Sequence, residues 1–104
     1  MTIQLNTDNN LSVHEAFGTK LEDLLSEELS RFSEYITRLE VHLSDENGAK
    51  DGANDKRCMI EARLEGRQPI AVTANADTHE QSVASAIDKL KNSLDTIFGR
   101  LRNH

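Results

Sequence analysis

Apolar side chains recur along this chain with two periods, and the switches between them predict its elements. "IQLNT" (3–7) alternates Ile3 and Leu5 with polar neighbours, a strand pattern. "DNNLS" then supplies turn formers, and Ser12 with Glu15 three residues on predicts a capped helix start. Val13, Phe17, Leu21, Leu24, Leu25, Leu29 and Phe32 follow at helical spacing, so a helix is expected to run to near Tyr35. Gly18 inside it costs about 1 kcal/mol relative to alanine. "RLEVHLS" (38–44) alternates again, with Leu39, Val41 and Leu43 on one side and Arg38, Glu40 and His42 on the other. "DENGAKDGAND" (45–55) holds only turn formers and charge and predicts an exposed loop. "RCMIEARLE" (57–65) is the next strand, with Cys58, Ile60, Ala62 and Leu64 inward. "GRQP" is a short turn and "IAVTANA" (70–76) a further strand. Asp77 with Glu80 predicts a second helix cap, after which the chain is helical nearly to its end.

The resulting order is β-α-β-β-β-α, an α+β two-layer sandwich over residues 1–104 as one domain. Three sequential strands with short links form an antiparallel meander, and the first strand joins the same sheet through the helix. Each strand has one apolar side and each helix one apolar stripe. Both helices are therefore expected on one face of a four-stranded sheet. The other face stays wet and carries Arg38, Glu40, His42, Arg57, Glu61 and Arg63, a self-compensating mixture.

Composition narrows the function. Hydrophobic residues make up 37% of the chain and charged ones 29%, as in a water-soluble globular protein rather than a disordered one. No apolar run is long enough to cross a membrane. "MTIQLNTDNN" has neither a basic n-region nor an apolar h-region, so no secretion signal is expected. Cys58 is the lone cysteine, which precludes an internal disulfide and points to the cytoplasm. The net charge of −6 argues against a general DNA binder held by many phosphate contacts. The absence of tryptophan and the few other aromatics argue against base-stacking platforms.

No catalytic or metal site is expected. His14, His42, His79 and His104 have no zinc-type spacing with Cys58 or one another. Cys58 faces inward, as an inert thiol does. Asp45, Glu46, Asp51 and Asp55 lack EF-hand spacing, and Gly48 and Gly52 lie among acids, a poor setting for an anion.

Local charge is more informative than the total. In "ASAIDKLKNSLDTIFGRLR" (84–102), Val83, Ile87, Leu90, Leu94, Ile97, Phe98 and Leu101 form one stripe at about 100° per residue, the expected core face. Lys91 and Arg102 share a flank with Asp88 and Asp95, which are placed to neutralise Lys91. Lys89 and Arg100 lie on the other flank beside Ser93 and Thr96, without an acid. That flank is either a phosphate-accepting rim or ordinary solvated decoration.

The element order, with "RFSEYITRLEVHL" leading into the second strand and "AIDKL" in the last helix, resembles the bacterial ribosome hibernation-promoting factors and ribosome-associated inhibitor A proteins. The likeness spans essentially the whole chain and implies the short form of that family. It implies a cytoplasmic stress-response protein that binds the small ribosomal subunit, through rRNA and ribosomal proteins, and inhibits or preserves idle ribosomes. No cofactor and no small-molecule substrate are implied, and the expected state is a monomer or weak homodimer.

Carried over residue by residue, the expected rRNA-binding set is Lys89, Arg100, Lys91, Arg102, Arg31 and Lys20. Arg38, Arg57 and Arg63 are secondary candidates on the sheet. The chain departs from the family pattern where Ser93 and Thr96 replace a usual lysine and arginine, where Ala84 replaces a tyrosine, and where Glu28 replaces a lysine. Each lost phosphate contact removes counterion release. The alternative left open is a protein-interaction module of the same fold that no longer binds rRNA.

Overall fold

The computed structural model describes residues 1–7, 15–45 and 55–99. Ser12, Val13, the centre of the 45–55 loop, Arg100, Leu101 and Arg102 lie outside the described residues. The order is β1 (Thr2–Thr7), α1 (Glu15–Glu28), a 3-10 turn (Ser30–Phe32), β2 (Ile36–Asp45), β3 (Lys56–Leu64), β4 (Ile70–Ala76), α2 (His79–Leu94) and a π-helical turn (Asp95–Gly99). The strands form one sheet in the order β1-β2-β3-β4. β1 lies parallel to β2, with Ile3 opposite Leu39 and Leu5 opposite Val41. β2–β3 and β3–β4 are antiparallel, with Val41 opposite Ile60 and Ile60 opposite Val72. The α+β sandwich expected from the periodicities is the observed one, and β1 and β4 are its two edges.

One face of the sheet makes the core. Leu39, Val41, Leu43, Cys58, Ile60, Ala62, Leu64 and Ala74 are buried there. Leu21, Leu25, Leu29 and Phe32 cover them from the α1 side, and Val83, Ala86, Ile87, Leu90, Leu94 and Phe98 from α2. Both stripes thus use the same face, because only that face offers apolar partners. Burying one such large side chain contributes about 1.5–3 kcal/mol, which makes this layer the dominant favourable term. Leu24, expected within the α1 stripe, is instead among the exposed large apolar residues.

Three local boundaries differ from expectation. α1 stops at Glu28 rather than near Tyr35, and the chain tightens into the 3-10 turn. Leu29 leaves helical geometry at φ −107° and ψ 13°. Phe32 N–H then donates to Leu29 O at 3.0 Å and Tyr35 N–H to Phe32 O at 2.9 Å. The three-residue spacing aligns Leu29 and Phe32 on one side, so both stay buried while the chain turns into β2. The α2 cap is Thr78, not Asp77. Its hydroxyl accepts from Gln81 N–H at 3.1 Å, so Thr78 and Gln81 stand in the T-x-x-Q spacing one residue later than expected. Finally, β2 and β3 extend to Asp45 and Lys56. These residues are opposite in the sheet, and Lys56 Nζ donates to Asp45 at 2.8 Å and to Asp55 at 3.3 Å. This ion pairing zips the strand ends one residue beyond the apolar alternation.

Gly18 faces β1. Among the described residues, a methyl group there would meet only Leu5 Cδ2, at 3.7 Å, an ordinary van der Waals distance. Gly18→Ala is therefore expected to stabilise the protein by about 0.5–1 kcal/mol, read as a higher urea midpoint with an unchanged m-value. Cys58 is fully buried, and desolvation pushes its thiol up to about 12. It should resist a thiol reagent in the native state and react at once in denaturant, as followed by mass spectrometry.

Candidate nucleic-acid interface

The helix layer brings the two basic segments side by side. Lys20 and Leu21 of α1 line a cleft with Glu80 and Val83 of α2. Further along, Glu28 meets Lys91, and beyond the helix end Arg31 meets Asp95. Residue numbers rise together on both sides, so the helices run parallel and their C-terminal ends lie together. The negative ends of both helix dipoles therefore coincide where Arg31 and Lys91 gather, a placement that stabilises the helices whether or not a ligand binds.

Lys91 Nζ donates to Glu28 Oε2 at 3.2 Å across the helix seam. Its partner is neither Asp88 nor Asp95, the acids within reach along its own chain, but an acid of α1. Asp95 is taken by Arg31, whose guanidinium also lies 4.6 Å from the centre of the Phe32 ring. The sequence spacing pointed to the wrong acids because an opposite charge one helix away is as near as one a turn away. Lys89 Nζ donates to the backbone carbonyl of Thr73 at 2.8 Å. That carbonyl belongs to edge strand β4, so Lys89 guards an open edge while its charge stays at the surface. Lys20 is exposed at the rim of the cleft lined by Phe17, Leu21, Leu24, Glu80 and Val83. Arg100 and Arg102 lie outside the described residues.

The sheet cations are bound in a mixed network. Arg38 stands opposite Arg63 and Glu40 opposite Glu61, so like charges face one another across β2 and β3. The side chains resolve this across and along the strands: Arg63 reaches Glu40 diagonally at 3.4 Å and Glu61 on its own strand at 3.5 Å, and Arg38 reaches Glu40 along β2 at 3.8 Å. Arg57 is exposed and also has interactions of its own. This face is self-compensated, as the alternation implied.

Arg67 is a cation that sequence reasoning missed. It follows Gly66, whose φ of 71° turns the chain from β3 into β4. Its guanidinium lies 5.3 Å from the centre of the Phe98 ring, which stacks on Tyr35 with centroids 4.2 Å apart and tilts against Phe32 at 6.4 Å. Arg31 and Arg67 therefore flank one aromatic cluster at the joint C-terminal end of the helices. In the sequence, "GRQP" signals only a turn, and no spacing links residue 67 to residue 98.

The family model described as "Sigma 54 modulation protein / S30EA ribosomal protein" matches residues 6–102. The chain belongs to this family. Members of the S30EA family are non-enzymatic, ribosome-associated factors. The fold is similar to that of a ribosomal subunit interface protein from Coxiella burnetii, at a TM-score of 0.73 and 18% identity over 95% of this chain and 99% of that one. It is also similar to the N-terminal domain of Protein Y from Thermus thermophilus, at a TM-score of 0.65 and 21% identity over 93% and 99% of the two chains. No curated protein matches the chain. No described helix is long and apolar enough to cross a membrane.

At the opposite end of α2, this S30EA chain holds a titratable group in a charged corner. His79 opens the helix, and its Nδ1 is buried without a hydrogen-bond partner among the described residues. Desolvation lowers its pKa below 6.5, aided by the Lys56 charge and opposed by Asp45 and Asp55. Lys56 is raised, chiefly by its hydrogen bond to Asp45. The folded state thus prefers neutral His79. Its contribution to stability is complete above pH 6.5, where both states are neutral, and is lost as pH falls through the lowered folded value. His79→Gln is expected to flatten the acid-side decline of stability below pH 6.5, measured by urea unfolding at several pH values.

Proposed function

We propose that this protein binds the small ribosomal subunit and damps translation, or preserves idle ribosomes, by occupying the subunit rather than by chemistry. The observation that carries this is the family match over residues 6–102, nearly the whole chain. The subunit-interface description of the Coxiella relative agrees with it. The cytoplasm is the corresponding location. The contact surface is the parallel helix pair with its joint C-terminal end. Lys89 supplies a phosphate contact from α2, Arg100 and Arg102 supply further ones from the segment that follows in the chain, Lys20 supplies one from α1, and Lys91 and Arg31 contribute from the seam. Arg38, Arg57 and Arg63 are secondary, since the sheet face satisfies much of its own charge. The protein acts as a monomer or a weak homodimer.

A second reading is favoured by the pairing of Lys91 with Glu28 and of Arg31 with Asp95, which removes two cations from the surface available to RNA. On that reading the fold contacts basic ribosomal proteins, or another partner, without holding rRNA.

Co-sedimentation with purified small subunits at two salt concentrations separates the two. Binding is expected at low salt and should weaken steeply as salt rises. The double variant Lys89→Glu/Arg100→Glu should pellet several-fold less. Unchanged pelleting in that variant removes these two residues from the contact. Salt-insensitive binding favours the protein-surface reading, and no co-sedimentation at either salt refutes ribosome binding.

A further inference from the structure

Two exposed ion pairs bridge the helix layer, and both take a cation from the proposed RNA contact. Glu28 Oε2 accepts from Lys91 Nζ at 3.2 Å, and Asp95 Oδ1 accepts from the Arg31 guanidinium. The acids alternate between the two sides: Glu28 belongs to α1, and Asp95 follows α2. Each carboxylate presents an oxygen to its cation as a phosphate oxygen would. All four side chains remain partly exposed, between 32% and 54%, so the pairs are reachable from solvent.

We propose that Glu28 and Asp95 are internal surrogates for phosphate, which set the strength and salt dependence with which the helix seam takes a polyanion. This rests on the RNA-contact reading above and adds a regulatory element to it. A polyanion engages Lys91 and Arg31 by exchanging a carboxylate for a phosphate oxygen. The exchange is open to competition because exposed pairs hold weakly. The displaced carboxylates then stand beside the incoming phosphates and repel them. The net effect is a seam that binds a dense array of phosphates but not an isolated anion.

The test uses the full chain with two probes, purified small ribosomal subunits and immobilised heparin. The seam variant Glu28→Gln/Asp95→Asn is compared with Glu22→Gln/Asp23→Asn, which changes net charge equally on exposed positions of α1. The seam variant should bind subunits several-fold more tightly at low salt. Its plot of log affinity against log salt should steepen, by up to about 1.4 to 1.8 where the wild-type carboxylates hold both cations back from phosphate, while the control variant shifts much less. Equal shifts in the two variants would mean that bulk charge alone acts, and would overturn the proposal. So would a seam variant indistinguishable from wild type on both probes. If none of the proteins binds subunits, the ribosome reading fails by itself and heparin decides. Later elution of the seam variant than of the control upholds the surrogate role, and co-elution refutes it. Thermal unfolding of each variant identifies any loss of fold.

Discussion

Two helical stripes must share one apolar sheet face, and the other features of the molecule follow from that requirement. The strands offer Leu39, Val41, Leu43, Cys58, Ile60 and Ala62 on one side only, and both helices have to cover them. With β1 parallel to β2 at one edge and β4 at the other, the helices lie side by side over the sheet and run in the same direction. That arrangement creates the seam, sets Lys89 beside the open edge of β4, and gathers Arg31, Arg67 and Lys91 at one end. It also leaves the opposite sheet face to water, where the network of Arg38, Glu40, Glu61 and Arg63 offsets its own charges.

For a protein with a net charge of −6, the central electrostatic question is which cations remain available. Acids close in sequence are poor guides to this. Glu28 stands on a different helix from the lysine it neutralises, and Asp95 follows the helix opposite its arginine. The same cations also offset the coincident negative ends of two parallel helices, so part of their role is served within the chain. A surface of this kind responds steeply to ionic strength and to competing anions, because its ion pairs are exposed and individually small.

The charged corner at the other end of α2 has a different character. Lys56, Asp45 and Asp55 join where β2 and β3 end, and Asp55 is buried there. His79 packs beside them at the first position of the helix, where a positive charge is disfavoured by burial, by Lys56 and by the helix dipole. The two ends of the helix layer are thus set apart electrostatically: one holds His79, with Nδ1 buried and unpartnered among the described residues, beside the Lys56 ion pairs, and the other carries cations near aromatic rings.

The amino-acid sequence by itself determined the element order, the two-layer architecture and most of the core, since these depend on local periodicity that any folded arrangement must respect. Alternation placed Cys58 inward and Arg38, Glu40 and Arg63 outward. Helical spacing found Val83, Ile87, Leu90 and Leu94, all of which are buried. Local pattern was less decisive at the boundaries. The spacing of Asp77 and Glu80 predicted a cap at Asp77, and hydrogen-bond geometry chose Thr78. The apolar run through Phe32 read as one helix, although the turn into β2 required a tighter one. Only the tertiary structure decided the fate of the cations. The contacts of Lys91 with Glu28, Arg31 with Asp95, Lys89 with Thr73 and Arg67 with Phe98 join residues 16 to 64 positions apart. No periodicity encodes such pairings, because a charge answers to distance in space and not to distance along the chain.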